Sequence, residues 1–385
     1  MANARGPSGL GTRLSTFALT LFCNRLHRLD TSHKIRCEGW SEPDLRREWG
    51  RGVRQSSATI RDVAREASVS VASVSRAMNG HSSVHPDTRE RVLAAAKALG
   101  YVPHAGARSL SLSRSHAIGV VLPDLHGEFF SEIVRGMDRE VTARGYHLLL
   151  SNMHADAERA ALAVRAMRGR VDGLIVMAPQ LDAQALAEAL PPEVPAVLVN
   201  AHRGLGRAAL RVDNAAGIAA SVAHLVGLGR RRLVHVSGPA GNVDASERRD
   251  GFLAAMARLA PDVEAVVIEG DFHESSGAAA AATLLARDMP CDGIVAANDM
   301  MALGVLGALR GAGVDVPGAV AVTGFDDVPL ARYMGLTTVR APLAGMGERA
   351  VARLIDALEG GGLTPDTQVM ATELVIRATT PAGAA

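Results

Sequence analysis

From residue 58 onward the chain sets out its apolar positions in two rhythms. The first has the helical period. Ile60, Val63, Ala64 and Ala67 share one face of a short helix that Thr59 can cap, with Asp62 near the positive end of its dipole. After Ser68, Val69 and Ser70 a second helix opens. Ser70 is its candidate cap, Val74, Ala77 and Met78 face inward, and Asn79-Gly80 stops it. Pro86 suits the first position of a third helix, whose Val92, Ala95, Ala96 and Leu99 repeat until Gly100. Helices this short are unstable alone, so the pattern predicts three that pack on one another.

The second rhythm starts at Ser115, beyond a connector punctuated by Pro103 and Gly106. Apolar runs over 116–122, 146–150, 171–177, 196–199, 233–236, 265–268, 293–296 and 320–322 are short and almost unbroken. Most are separated by Ala- and Arg-rich helical stretches such as 132–144 and 218–229. Continuous apolar strands alternating with helices predict an α/β class with parallel sheets covered on both faces. The number of strands suits two doubly wound lobes. In such sheets ligands sit beyond the carboxyl ends of the strands, where this chain carries Asp124, Asn200, Ser237, Asp271, Asp299 and Asp326. The crevice between the lobes is the expected pocket.

Residues 1–57 follow neither rhythm. They hold both tryptophans, Trp40 and Trp49, and two of the three cysteines. The expectation is a disordered extension or an untranslated one. Val53 stands five residues before Ala58, and a GTG codon read there as a start would leave residues 1–52 outside the working protein. The predicted organisation is then an extension over 1–57, a helix-turn-helix over 58–102, a hinge or linker over 103–114, and a two-lobed core over 115–385.

Composition narrows the chemistry. The 385 residues are 48% hydrophobic and 21% charged, which supports a buried core and argues against disorder. A net charge of +1 means that any affinity for nucleic acid must come from a local basic surface. Three cysteines, Cys23, Cys37 and Cys291, give neither a paired framework nor a metal-ligand spacing, so a reducing cytoplasm is expected, with no metal and no cofactor. No apolar run is long enough to span a bilayer. The short apolar stretch 17–23 lacks the cleavage site of a secretory leader. No glycine-rich phosphate loop, nucleophile elbow or His/Cys cluster marks an enzyme.

The run from Ala58 to Gly80 is the most specific text in the chain. Two short helices joined by a tight turn let the second lie in a DNA major groove while the first braces it against the backbone. Val71, Ala72 and Ser73 are small enough for close approach to base edges, the apolar pair suits a thymine methyl, and Arg76 can reach guanine or a phosphate.

This segment resembles the headpiece of the lactose-repressor family, and the resemblance continues through 88–101, Pro103 and 107–110 to about Thr380. It implies a DNA-binding transcriptional repressor that acts on double-stranded operator DNA as a homodimer under the control of a small-molecule effector, a sugar or sugar derivative. The residues matching Val71, Ala72 and Arg76 would read bases, and Thr59, Ser70 and Asn79 would hold phosphates. The stretch 103–110, with Arg108, would form a hinge helix whose Leu110 wedges into the minor groove. Gly106 departs from the larger apolar residue usual there. The Arg248-x-x-Gly-Phe run and the segment 298–304 resemble the family's effector-pocket segments. Arg248 and Asp299 would bond neighbouring hydroxyls, Phe129, Phe130 and Phe272 would stack on a ring, and Asp124 and Asn200 would complete the polar set. Asp299 also suits a helix N-cap. Periplasmic sugar-binding proteins share the two-lobed fold but lack the helix-turn-helix. No leucine heptad follows residue 380, so a dimer is expected and not a tetramer.

Overall fold

Local capping builds the N-terminal helices of this computed structural model, which describes residues 58–102, 114–125, 127–154, 156–202, 206–287 and 290–380. The Asp62 carboxylate accepts both the N–H (2.9 Å) and the hydroxyl (2.6 Å) of Thr59, starting α1 (Ile60–Glu66). Ser70 Oγ accepts the Ser73 N–H at 3.1 Å and starts α2 (Val71–Met78). Between them Ser68 takes a left-handed φ of 53° to close the turn. Pro86 opens α3 (Pro86–Ala98). Val63, Val74 and Val92 meet at the centre, all fully buried, and each such burial contributes about 1.5–3 kcal/mol. The chain divides into two units after Val102.

The second unit holds two six-stranded sheets. The first runs in the order β11-β5-β4-β3-β1-β2, from β1 (Ala117–Leu122), β2 (His147–Asn152), β3 (Gly173–Met177), β4 (Ala196–Val199), β5 (Ala208–Val212) and β11 (Thr367–Met370). The second runs β12-β10-β9-β8-β6-β7, from β6 (Leu233–Ser237), β7 (Val266–Glu269), β8 (Gly293–Ala296), β9 (Ala321–Asp326), β10 (Thr337–Arg340) and β12 (Glu373–Val375). The two orders are the same winding repeated, each closed by a strand from the C-terminal segment. One ladder departs from the all-parallel expectation: β12 lies antiparallel to β10. That short strand pairs at a sheet edge, where a chain returning from the other lobe can run in either direction.

All eight predicted strands are present, with ends shifted by up to four residues. The apolar pattern does not announce β5, β10, β11 and β12. In β5 a buried Arg211 interrupts the apolar run, β10 is threonine-rich, and the last two are short edge strands with no buried residue.

Helices α4 (Glu128–Ala143), α5 (Ala157–Met167) and α6 (Ala183–Ala189) belong to the first lobe by sequence. Helices α7 (Asn214–Gly227), α8 (Val243–Leu259), α9 (Glu274–Ala286), α10 (Asp299–Gly311) and α11 (Pro329–Tyr333) belong to the second. Helix α12 (Leu343–Asp356) follows a second-lobe strand but packs on α4 of the first. The chain therefore passes between lobes after β5, after β10, and between β11 and β12. Each lobe contains a helix pair in close backbone contact through reciprocal glycines. A Cβ at Gly136 would lie 1.9 Å from the Ala344 carbonyl oxygen, and one at Gly347 would lie 2.1 Å from that of Ile133. In the second lobe, Cβ atoms at Gly277 and Gly304 would each stand 2.0 Å from a carbonyl oxygen, of Met301 and Glu274.

Candidate functional site

On the first unit, one face of α2 is open. Val71, Ala72 and Arg76 are exposed, while Val74 and Ala77 hold the helix to its neighbours. Thr59 and Ser70 are exposed at the N-termini of the two helices, and half-buried Asn79 caps the end of the second. Ser73 is half-buried, and its hydroxyl shares a hydrogen bond with Ser70 at 2.9 Å. It serves the cap more than the exposed face. Arg89 donates to the His81 carbonyl at 2.6 Å and fixes the loop ahead of α3. An apolar, small-residue surface with one long cation has the shape and chemistry to approach a base edge. Arg108 and Leu110, and the hinge that contains them, lie outside the described residues.

In the second unit, the carboxyl ends of the strands of both sheets frame a cavity of about 620 Å³, within the range of small-molecule sites. Asp124, Phe129 and Phe130 line it from the first lobe, and Arg248, Asp271, Phe272 and Asp326 from the second. The two adjacent phenylalanines meet edge to face, with ring centroids 5.1 Å apart. Across from them Phe272 holds a left-handed φ of 73°, and its carbonyl accepts from Asn298 Nδ2 at 2.9 Å. Gly238 leaves room for that ring, since a Cβ there would come within 2.3 Å of it.

Arg248 is the centre of the polar wall. It is 3% exposed, and its Cζ lies 3.8 Å from the centroid of the Phe325 ring. Nε donates to Asn214 Oδ1 at 2.8 Å, one Nη to the Ala297 carbonyl at 2.6 Å, and the other to Asp326 Oδ1 at 3.4 Å. Burial pushes the Asp326 carboxyl up to about 7 against the pull of Arg248, with Asp244 adding to the rise. Asp244, one helical turn before Arg248, is likewise raised by burial and accepts from Asn214 Nδ2 at 2.9 Å.

The network reaches the other lobe. Asn214 Nδ2 also donates to Glu247 at 3.0 Å, and the other carboxylate oxygen of Glu247 accepts from Arg211 of β5 at 2.6 Å. Arg211 is 2% exposed and donates its second Nη to the Ala201 carbonyl. A buried cation in the first lobe is thereby linked through two side chains to the guanidinium that lines the cavity.

Two expected residues are not in the cavity wall. Asp299 is fully buried between α10 and the second sheet. Its Oδ2 accepts the Val328 N–H at 2.9 Å and its Oδ1 the Thr338 hydroxyl at 2.5 Å. Burial and the nearby Asp326 hold its carboxyl well above the ordinary range. Asn298 takes both of the roles expected of Asp299: it caps α10 by accepting the Met301 N–H at 2.9 Å, and it lines the cavity. Successive helical residues point about 100° apart, so a one-residue difference decides which side chain faces the crevice. Asn200 is also fully buried and absent from the wall, at the end of β4 where the chain takes a left-handed φ of 46°. Asp326, seen in the sequence only as a polar strand end, is the carboxylate that meets Arg248. Asp244 had a signal in its four-residue spacing from Arg248. Asn214 had none.

Comparison with known proteins accounts for both units. Residues 59–104 match the family described as bacterial regulatory proteins, lacI family, and residues 222–380 match a periplasmic binding protein-like domain. The HTH-type transcriptional regulator GalS of Salmonella typhimurium is 35% identical over 313 residues, covering 80% of this chain and 91% of that protein. The ribose operon repressor of Escherichia coli is 35% identical over 77% of this chain and 92% of its own length. Among solved structures, the lac repressor dimer bound to operator and the anti-inducer ONPF superposes with a TM-score of 0.77 at 30% identity, covering 85% of this chain and all of that one. With the headpiece and the two-lobed core both matched over nearly the full length of its relatives, this chain belongs to the LacI family and is a DNA-binding transcriptional regulator whose operator affinity answers to a small-molecule effector.

Proposed function

We propose that a sugar or sugar derivative is held between Arg248, Asn298 and Asp326 of the second lobe and the Phe129–Phe130 face of the first, and that its binding changes affinity for operator DNA. The observation that carries this reading is the cavity itself: aromatic surfaces on one side oppose a fixed guanidinium–carboxylate pair on the other. A ring can stack on the first while its neighbouring hydroxyls bond the second. A ligand in contact with both lobes stabilises one arrangement of them over another, which is what a shift in DNA affinity requires. Relatives fit the same pattern, since a LacI-family regulator from Enterococcus faecium was solved with bound ribose.

On the headpiece, Val71, Ala72 and Arg76 read bases in the major groove while Thr59, Ser70 and Asn79 hold phosphates. The protein works in the cytoplasm as a homodimer on a two-fold operator and catalyses no reaction. Among the described residues no helix is long and apolar enough to cross a membrane. Arg76→Ala tests the DNA side. Operator titration at fixed salt should show a loss of about 1–3 kcal/mol, with weak non-specific binding retained. Wild-type affinity would remove Arg76 from the reading surface. Ribose and galactose, titrated against the operator complex, test the effector side, and a sugar that raises the melting midpoint but leaves operator affinity unchanged would separate binding from regulation.

A further inference from the structure

Between β9 and α11 the backbone of the second lobe runs through a conformation that side chains disfavour. Asp326 and Asp327 hold φ values of 110° and 56°, two consecutive non-glycine residues on the left-handed side. Such a turn persists only where its surroundings over-determine it. Second-lobe side chains supply most of that hold. Arg248 donates to Asp326 at 3.4 Å, and Arg340 and Arg377 donate to Asp327 at 2.7 and 2.6 Å. Asp299 accepts the Val328 N–H at 2.9 Å. Pro329 has no N–H to give, so the next backbone donor is Leu330.

That donor reaches out of its own lobe. The Leu330 N–H bonds Glu128 Oε2 at 2.9 Å, from the start of α4 in the first lobe. Glu128 is half-buried and lines the cavity beside Phe129 and Phe130. Other contacts also cross between the lobes, such as the Val243 N–H to the Pro179 carbonyl at 2.9 Å. The Glu128 bond differs in what it grips. The stretch 326–330 begins with a carboxylate facing the cavity and ends with the donor held by the opposite lobe. Separating the lobes removes this one hold and leaves the turn's second-lobe partners in place. A shift at either end is felt at the other, because the strained backbone between them has few conformations that could absorb it.

We propose that Glu128 is a positioning residue for the effector response: it holds the strained turn so that Asp326 faces the cavity, and it makes that arrangement conditional on the lobes being together. The proposal rests on the cavity being the effector site and adds the element through which occupancy and lobe arrangement are coupled.

The test compares the full-length wild type with Glu128→Ala, which removes the acceptor, and Glu128→Gln, which keeps an acceptor oxygen without the charge. Hydrogen exchange is read at single amides in the absence of ligand. In Glu128→Ala both the Leu330 and the Val328 amides should exchange about tenfold faster, and Glu128→Gln should return both to within about threefold of the wild type. Faster exchange at Leu330 alone makes the bond a surface contact and overturns the proposal, as does unchanged exchange at both. Ribose and galactose are then titrated by thermal melting. For a sugar that shifts the wild type, Glu128→Ala should need about threefold more ligand, and Glu128→Gln less than that. An unchanged requirement with both amides loosened also overturns the proposal. If neither sugar shifts the wild type, the sugar reading of the cavity falls by itself, and the two amides still decide whether Glu128 holds the turn.

Discussion

The two lobes of the core are wound alike and furnished differently. Both sheets run in the same strand order, and each lobe holds a helix pair seated on reciprocal glycines. Yet the first lobe has few buried polar side chains, chiefly Asn200 and Arg211, whereas the second buries His235, Asp244, Arg248, Asp299 and Asp326 along with several threonines. One winding can therefore carry an interior with few buried polar groups or one threaded by them. Apolar periodicity specifies the winding, while the polar network specifies what the crevice can hold. The cost of that network differs too, because a buried charge is tolerated only while its partners stay in place.

The sharpest test of this contrast is to break each wall. Arg248→Ala leaves the Asp326 carboxylate buried without its cation, and chemical denaturation should show a loss of about 3–5 kcal/mol along with the sugar response. Phe129→Ala, in the half-exposed wall of the first lobe, should cost only about 1–2 kcal/mol. Equal losses would mean that the second lobe's charges matter no more to the fold than the first lobe's aromatics.

His235 tests the same contrast through pH. Its Nδ1–H donates to the Val295 carbonyl at 2.8 Å and its ring stacks on Phe252 with centroids 5.1 Å apart. Burial lowers its pKa from 6.5 to about 4. The unfolded chain takes up a proton near pH 6.5 and the folded chain only near 4, so this group's contribution is intact above pH 6.5 and is lost as pH falls toward 4. Relative to His235→Phe, the wild type should lose up to about 3 kcal/mol across that window. Parallel stability curves for the two proteins would show that His235 protonates freely in the folded state.

The glycine seats should make the lobes look alike again. Gly136→Ala in the first and Gly277→Ala in the second each drive a methyl into a backbone carbonyl, and each should cost about 1–3 kcal/mol by thermal melting. A cost in one lobe alone would show that the other helix pair can separate freely. The smallest expected effect lies on the link between the lobes. Glu247→Gln weakens the tie from Arg211 to Asn214 and Arg248 without touching the cavity wall, and sugar affinity should fall by about fivefold, near 1 kcal/mol. Unchanged affinity with reduced stability would make that link a fold contact only.

Much of this was legible in the sequence because it is local. Thr59, Ser70 and Pro86 mark helix starts by chemistry that acts within three residues, and the unbroken apolar runs mark buried parallel strands wherever they fall. The headpiece's open face follows from the same periodicity. Tertiary structure decided the rest. Nothing near Leu343 announces that α12 leaves the second lobe to seat on Gly136, because the fit depends on a backbone about 200 residues earlier in the chain. The buried Arg211 hid β5 from an apolar-pattern reading, since its partners, Ala201 and Glu247, come from different lobes. Asp326 lines the site and Asp299 does not because side-chain direction at a strand end or a helix cap is fixed by what packs against it. Sequence determines which segments must be buried, but only the packed chain determines which polar group is left facing the crevice.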